Sequence, residues 1–172
     1  MMKKPKNSLS AEVVPEGAFT EISFIKDKGF GEIVNDKLWL FSEEAMFLAE
    51  KGDLDLGMDE TKARKFFSKH NKKFLYRYST YYDLRNRGLV VKSGAKYGAD
   101  FRVYEKGVKP SHNQNREHSK YLIWVMGQDE KLELKTLLGI NRVAHSVKKR
   151  LLLAVVDREL DVTYIQNTRL LL

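Results

Sequence analysis

Gly88 divides this chain into two hydrophobic rhythms, and that change limits the folds open to it more than any other feature. Before it, apolar and aromatic residues recur at helical spacing. The segments are Ser42 to Gly52, about Asp59 to His70, and a tyrosine-rich stretch from about Lys72 to Arg87 that the glycine stops. Ser42 is read as an N-cap, with Glu43 and Glu44 suited to the positive helix end and Gly52 as the left-handed stop. Ahead of these helices, Ala18–Ile25 and Gly31–Leu40 read as short strands beside the turn signals Asp27-Lys28-Gly29 and Asn35-Asp36, and the polar residues 1–10 as a frayed terminus. After Gly88 the period drops to two. Leu89–Val91, Ala99–Tyr104, Tyr121–Met126, Leu151–Val156 and Val162–Arg169 read as strands, with helical segments at Leu132–Leu138 (ended by Gly139) and Arg142–Arg150. The expected class is α+β: a small N-terminal α/β domain over residues 1–71, then a C-terminal domain with a mixed sheet over 72–172, opening with the tyrosine-rich helix. Its tyrosines (Tyr76, Tyr78, Tyr81 and Tyr82) are expected to pack rather than to stack on bases.

Composition narrows the function. The chain has 172 residues and no cysteine, which excludes disulfides, thiolate metal sites and a cysteine nucleophile. Its longest apolar run, Leu151–Val156, is far too short to span a bilayer, and no apolar leader follows Met1-Met2-Lys3-Lys4, so a cytoplasmic protein is expected. The net charge is +8, unevenly spread: residues 1–84 carry 14 basic and 14 acidic side chains, residues 85–172 carry 17 against 9. A neutral half joined to a cationic half suits a polyanion partner such as nucleic acid, although basic surface also serves solubility alone.

Within the cationic half, Arg142, His145 and Lys149 recur at i, i+3 and i+7, which on a helix places them within about 60° of arc. That stripe suits an anion, but it also describes an ordinary solvated helix end. Tyr104 and His118 bound two expected antiparallel strands, so the loop between them returns both to one end of the sheet. A phenol, an imidazole and a lysine at one place form a candidate base, acid and charge stabiliser, a set able to cleave RNA without metal. A phenol of ordinary pKa near 10 is a poor base at neutral pH unless cations lower it. Asp100 with Glu133-Leu134-Lys135 echoes a magnesium-nuclease pattern, yet Asp100 follows a glycine turn where a capping role is simpler. His112 has no partner at ligand spacing, and His70 ends a helix where a cation suits the dipole.

Three ordered blocks resemble the archaeal tRNA-splicing endonucleases. They are Asp83–Gly88 with Lys96–Tyr104, Glu117–Leu122, and Arg142–Leu151; Ser42–Leu48 also resembles a helix of that family's N-terminal domain. The resemblance implies that Tyr104 is the general base on the ribose 2′-OH, His118 the general acid to the 5′-oxygen, and Lys149 the transition-state stabiliser. It implies a pair of arginines pinching a bulged base, Arg142 matching the first and Arg169 the second, since guanidinium stacks on base faces. It implies cleavage of precursor tRNA at a bulge–helix–bulge, leaving 2′,3′-cyclic phosphate and 5′-OH ends, with no metal or other cofactor. It also implies a tetramer, of identical chains or with a second subunit, docked through an acidic loop at which Asp129 and Glu130 stand here; taken alone, two such acids describe a solvated turn. The loop from Glu105 to Glu117 is a few residues longer than in that family. The competing readings are a non-catalytic RNA-binding or assembly subunit and the magnesium nuclease; cleavage in excess EDTA separates them.

Overall fold

Leu9 and Ser10, placed by the sequence in a frayed terminus, already belong to a strand, β1 (Leu9–Val14). The computed structural model describes residues 8–21, 28–108 and 118–168. β1 pairs antiparallel with β2 (Gly17–Thr20) and parallel with a two-residue strand some forty residues on, β5 (Leu54–Asp55). The β1–β5 pairing has no local signal, because β5 is too short to show a period and comes from far along the chain, whereas β2 follows β1 after only Pro15 and Glu16. The Gly31–Leu40 segment folds as the hairpin β3 (Glu32–Val34) and β4 (Lys37–Phe41). Its two loop residues, Asn35 and Asp36, have φ of 48° and 59°, the left-handed pair that a two-residue hairpin of this twist needs. The sheet order is β3-β4-β2-β1-β5. Helices α1 (Ser42–Glu50) and α2 (Glu60–His70) pack with it around Ala18, Leu38, Leu40, Met46, Leu48 and Phe67, all essentially without exposure.

The start of α1 differs from the sequence expectation. Phe41, not Ser42, occupies the N-cap, and the Ser42 hydroxyl donates to Glu43 Oε2 at 2.9 Å instead of accepting from the helix backbone. Glu43 and Glu44 are each only 1% exposed, and they serve tertiary contacts. Glu43 pairs with Arg77, and Glu44 Oε1 accepts from the Gly31 N–H at 3.2 Å. The other boundaries hold: Asp59 caps α2 by accepting from the Lys62 N–H at 2.8 Å, and Gly52 follows α1 at φ 78°.

The chain divides into two compact units, Met1–Tyr78 and Ser79–Leu172, the division falling inside α3 (Phe74–Asn86). Tyr78 and Tyr81 of this helix are buried, as expected of a packing stripe. Gly88, at φ 81°, ends it, its N–H donating to the Arg85 carbonyl.

The second unit is built on β6 (Val90–Ser93), β7 (Phe101–Tyr104), β8 (Tyr121–Gly127), β9 (Arg150–Val156) and β10 (Val162–Asn167), in the order β10-β9-β8-β7-β6. Neighbours are antiparallel except β8 and β9, which run parallel, so the sheet is mixed and the class is α+β. A parallel pair needs a crossover, and α4 (Leu134–Ser146) supplies it. Ile140 and Ala144 of α4 pack on Leu122, Leu151 and Ala99, covering one sheet face; Tyr81 of α3 meets Phe101 on the other, with ring centroids 6.0 Å apart. Between β6 and β7 a single 3-10 turn, Ala95–Tyr97, follows Gly94, where a Cβ would lie 2.7 Å from the Ala99 carbonyl oxygen; only glycine lets the strands close this tightly.

α4 is one helix where two were expected. Gly139 lies within it, exposed and with open space around the place of a Cβ, so it does not end the helix. A glycine in a helix interior only weakens it, and packing of Ile140 and Ala144 outweighs that cost. The helix stops at Ser146, because Lys148 takes φ 54° and the Lys149 N–H donates back to the Ala144 carbonyl at 2.8 Å. Among the described residues, no helix is long and apolar enough to cross a membrane.

Candidate active site

That helix end corrects the expected stripe of Arg142, His145 and Lys149. Arg142 and His145 are exposed on α4, but Lys149 lies beyond the reversal at Lys148, at the entrance to β9. From there its ammonium donates to the Ser119 carbonyl at 2.7 Å, across a separation of 30 residues. The register explains how. Val103 of β7 opposes Tyr121 of β8, and Tyr121 lies beside Arg150 of β9. One step outward, the Lys120 N–H donates to the Val103 carbonyl (2.8 Å) and the Arg150 N–H to the Lys120 carbonyl (3.0 Å). Tyr104, the segment 118–120 and Lys149 therefore close the same edge of the sheet: the end of one strand and the starts of two others.

Tyr104 is 8% exposed, the ring of His118 belongs to an exposed residue, and Lys149 is half-buried. Burial pushes the Lys149 ammonium below the ordinary lysine range; Tyr97 acts against this, while the nearby cations Lys96 and Arg102 add to it. The Lys149 Nζ stands 5.7 Å from the centroid of the Tyr97 ring, a cation–π distance. Lys120 behaves differently. Its hydrogen bond to Glu105 neutralises it locally and holds its ammonium above the usual range. The edge thus keeps Lys149 as a cation bound to neutral groups, a carbonyl and a ring, beside the residue that carries the imidazole.

The other anticipated residues lie elsewhere or outside the description. Asp129 and Glu130 follow β8 at its far end, about 20 Å from its start at the usual strand rise. Asp129 is exposed and accepts from Arg158 Nε at 3.2 Å. Arg169, His112 and residues 109–117 of the long loop fall outside the described residues. Asp100 works for the sheet: its Oδ2 accepts from the Val125 N–H at 2.7 Å, and its own N–H donates to the Ile123 carbonyl at 2.9 Å. Among the described residues, no three His, Asp or Glu side chains gather as metal ligands.

Sequence reasoning missed Tyr97, Lys96, Arg102 and the Ser119 carbonyl. Lys96 and Tyr97 stand in the block Lys96–Tyr104, but nothing local says that a turn before β7 will meet a lysine placed before β9.

The strand ends that carry Tyr104, His118 and Lys149 thus meet at one end of a mixed sheet, and comparison with known proteins shows the class of domain to which such a sheet belongs here. Residues 74–164 match the sequence profile of the tRNA intron endonuclease catalytic C-terminal domain. The chain is 37% identical to a tRNA-splicing endonuclease of Methanococcus vannielii over 95% of its own length and 96% of the relative's. It is 42% identical to one of Methanothermobacter thermautotrophicus, over 78% of this chain and 79% of that one. With one of Pyrococcus abyssi the figure is 38%, over 80% and 79%. The chain belongs to the tRNA intron endonuclease family and carries its catalytic domain.

Proposed function

We propose that this protein excises introns from precursor tRNA at bulge–helix–bulge sites by metal-independent transesterification, with residues 72–172 as the catalytic domain. Tyr104 acts as its phenolate, which takes the proton of the ribose 2′-OH at the cleavage site and becomes the phenol. The 2′-oxygen attacks the adjacent phosphorus, and the bond from phosphorus to the 5′-oxygen breaks. His118, as imidazolium, gives its proton to that departing oxygen, leaving a 2′,3′-cyclic phosphate and a 5′-OH. Lys149 faces the phosphorane as it gathers negative charge. Acid–base assistance contributes about 10²–10⁴-fold, and a fixed cation in a partly desolvated place adds a term of similar size.

The observation that carries this reading is the hydrogen bond from Lys149 to the Ser119 carbonyl at 2.7 Å, which ties the ammonium to the residue following His118 at the edge where Tyr104 ends its strand. A long flexible side chain held by a carbonyl and an aromatic face is preorganised before substrate arrives. The reading extends to recognition: Arg142, exposed on α4, and Arg169 pinch a bulged base between guanidinium planes. It extends to assembly as well. Asp129 and Glu130 dock into a basic cleft of a neighbouring subunit, with Asp129 exchanging its own Arg158 for the partner's cations, in a homotetramer or a tetramer with a second chain.

The test is cleavage of a bulge–helix–bulge RNA in excess EDTA, with end-group analysis. Cyclic phosphate ends are expected, and His118→Ala is expected to slow turnover by about 10³-fold while RNA affinity stays near that of the unaltered protein. Tight binding with no cleavage would make the chain an assembly subunit, and activity restored only by magnesium would overturn the side-chain mechanism. Equal loss of binding and turnover in His118→Ala would make His118 a docking residue.

A further inference from the structure

The Tyr97 ring is shared. Lys96 Nζ stands 4.9 Å from its centroid and Lys149 Nζ 5.7 Å, so two ammonium groups attend one aromatic side chain. Arg102 is close enough to act electrostatically on Lys149, as is Lys96. Among the described residues neither Lys96 nor Lys149 forms an ion pair with a carboxylate. The acids nearest in sequence are already engaged, Asp100 by the Val125 N–H and Glu105 by Lys120. Lys96 and Lys149, two ammonium groups with no carboxylate partner among the described residues, repel one another, and the aromatic face offsets only part of that repulsion. A bound anion removes the rest.

We infer that Lys96, with Tyr97 beneath it and Lys149 beside it, forms a second anion subsite that holds an RNA backbone phosphate next to the one being cleaved. The inference rests on the endonuclease reading and deepens it. Lys149 is tethered to Ser119 and serves the reacting phosphate. Lys96 is exposed on the single turn Ala95–Tyr97, open to a strand arriving from solvent. Tyr97 gives both flexible side chains a common platform, with their charges 4.9 and 5.7 Å from one ring centroid. Tyr97 is in this sense a positioning residue: it packs on the core cluster through its ring and acts on the substrate only through the two lysines.

The experiment uses the full chain and a bulge–helix–bulge RNA carrying 2′-deoxyribose at the cleavage positions, so that binding is read without reaction. Lys96→Ala is expected to weaken binding about fivefold near physiological salt and to lower the slope of log affinity against log salt by about one phosphate's worth. Lys96→Arg is expected to restore both. Tyr97→Leu, which removes the ring from both lysines, should raise KM and lower kcat together, and Tyr97→Phe, which keeps the ring, should reverse much of both changes. An unchanged affinity and salt slope in Lys96→Ala overturns the subsite, as does a Tyr97→Leu protein that matches Tyr97→Phe in both constants. If the unaltered protein fails to cleave the all-ribose RNA, the endonuclease reading falls, and the salt slope of Lys96→Ala still decides the subsite.

Discussion

The two sheets are built alike, but a few charged side chains in each are held in different ways. Each has five strands joined by three antiparallel pairings and one parallel pairing. In the first unit the charged groups of the interior are matched: Glu43 lies against Arg77, Glu44 caps the Gly31 N–H, and Glu50 pairs with Arg64, which itself stands over the Tyr78 ring at 5.0 Å. In the second unit Lys149 and Lys96 rest on a carbonyl and a ring. Buried charges matched within the chain fix a fold, since removing either partner strands the other away from water. Cations held by neutral groups are poised for a charge from outside. The difference sets carboxylate–cation pairs in the first unit against two lysines of the second that rest on neutral groups.

The contrast can be broken most sharply at Lys149. Lys149→Met is expected to reduce cleavage by about 10³-fold, by loss of the charge that meets the phosphorane. Its thermal stability should hold or rise, because a partly desolvated ammonium is exchanged for an apolar side chain of similar length. A parallel fall in melting temperature and rate would make Lys149 a structural residue. Glu43→Ala is the mirror experiment. It takes the acceptor from both Arg77 and Ser42 and is expected to cost the first unit about 3 kcal/mol in denaturant unfolding, with the cleavage rate per folded molecule unchanged. A loss well below this would mean that the matched charges add little to that unit. The smallest effect is expected at Gly139→Ala, which should stabilise the second unit by about 1 kcal/mol without altering cleavage. Destabilisation there would indicate that α4 is interrupted at the glycine after all.

Much of the architecture was legible from local pattern. The turn at Asn35-Asp36, the start of α2 near Asp59 and the stop at Gly88 follow from backbone preferences confined to a few residues. Two readings failed for one reason, that tertiary contacts overrode a local rule. Ser42 turns its hydroxyl to Glu43, whose carboxylate is buried against Arg77 34 residues on, and Gly139 stayed helical because the residues after it are buried against the sheet. The candidate site was legible in its members but not in its arrangement. Arg142, His145 and Lys149 do fall on one stripe of an ideal helix, yet the left-handed turn at Lys148 ends the helix before the third of them.

The sequence by itself determined the kinds of element, most of their limits, the cationic bias of the second half and the three blocks in which Tyr104, His118 and Lys149 stand. Those are decided by φ preference, side-chain period and residue chemistry, each expressed within one or two turns of chain. Only the tertiary structure decided that Lys149 reaches Ser119, that it comes within 5.7 Å of the Tyr97 ring, and that the acids of the β8–α4 connection stand at the opposite end of β8. Such facts depend on the parallel register of β8 with β9 and the antiparallel register of β8 with β7, which join residues tens of positions apart through backbone hydrogen bonds. No short window of sequence carries that information, because backbone amides and carbonyls pair alike whichever side chains they bear.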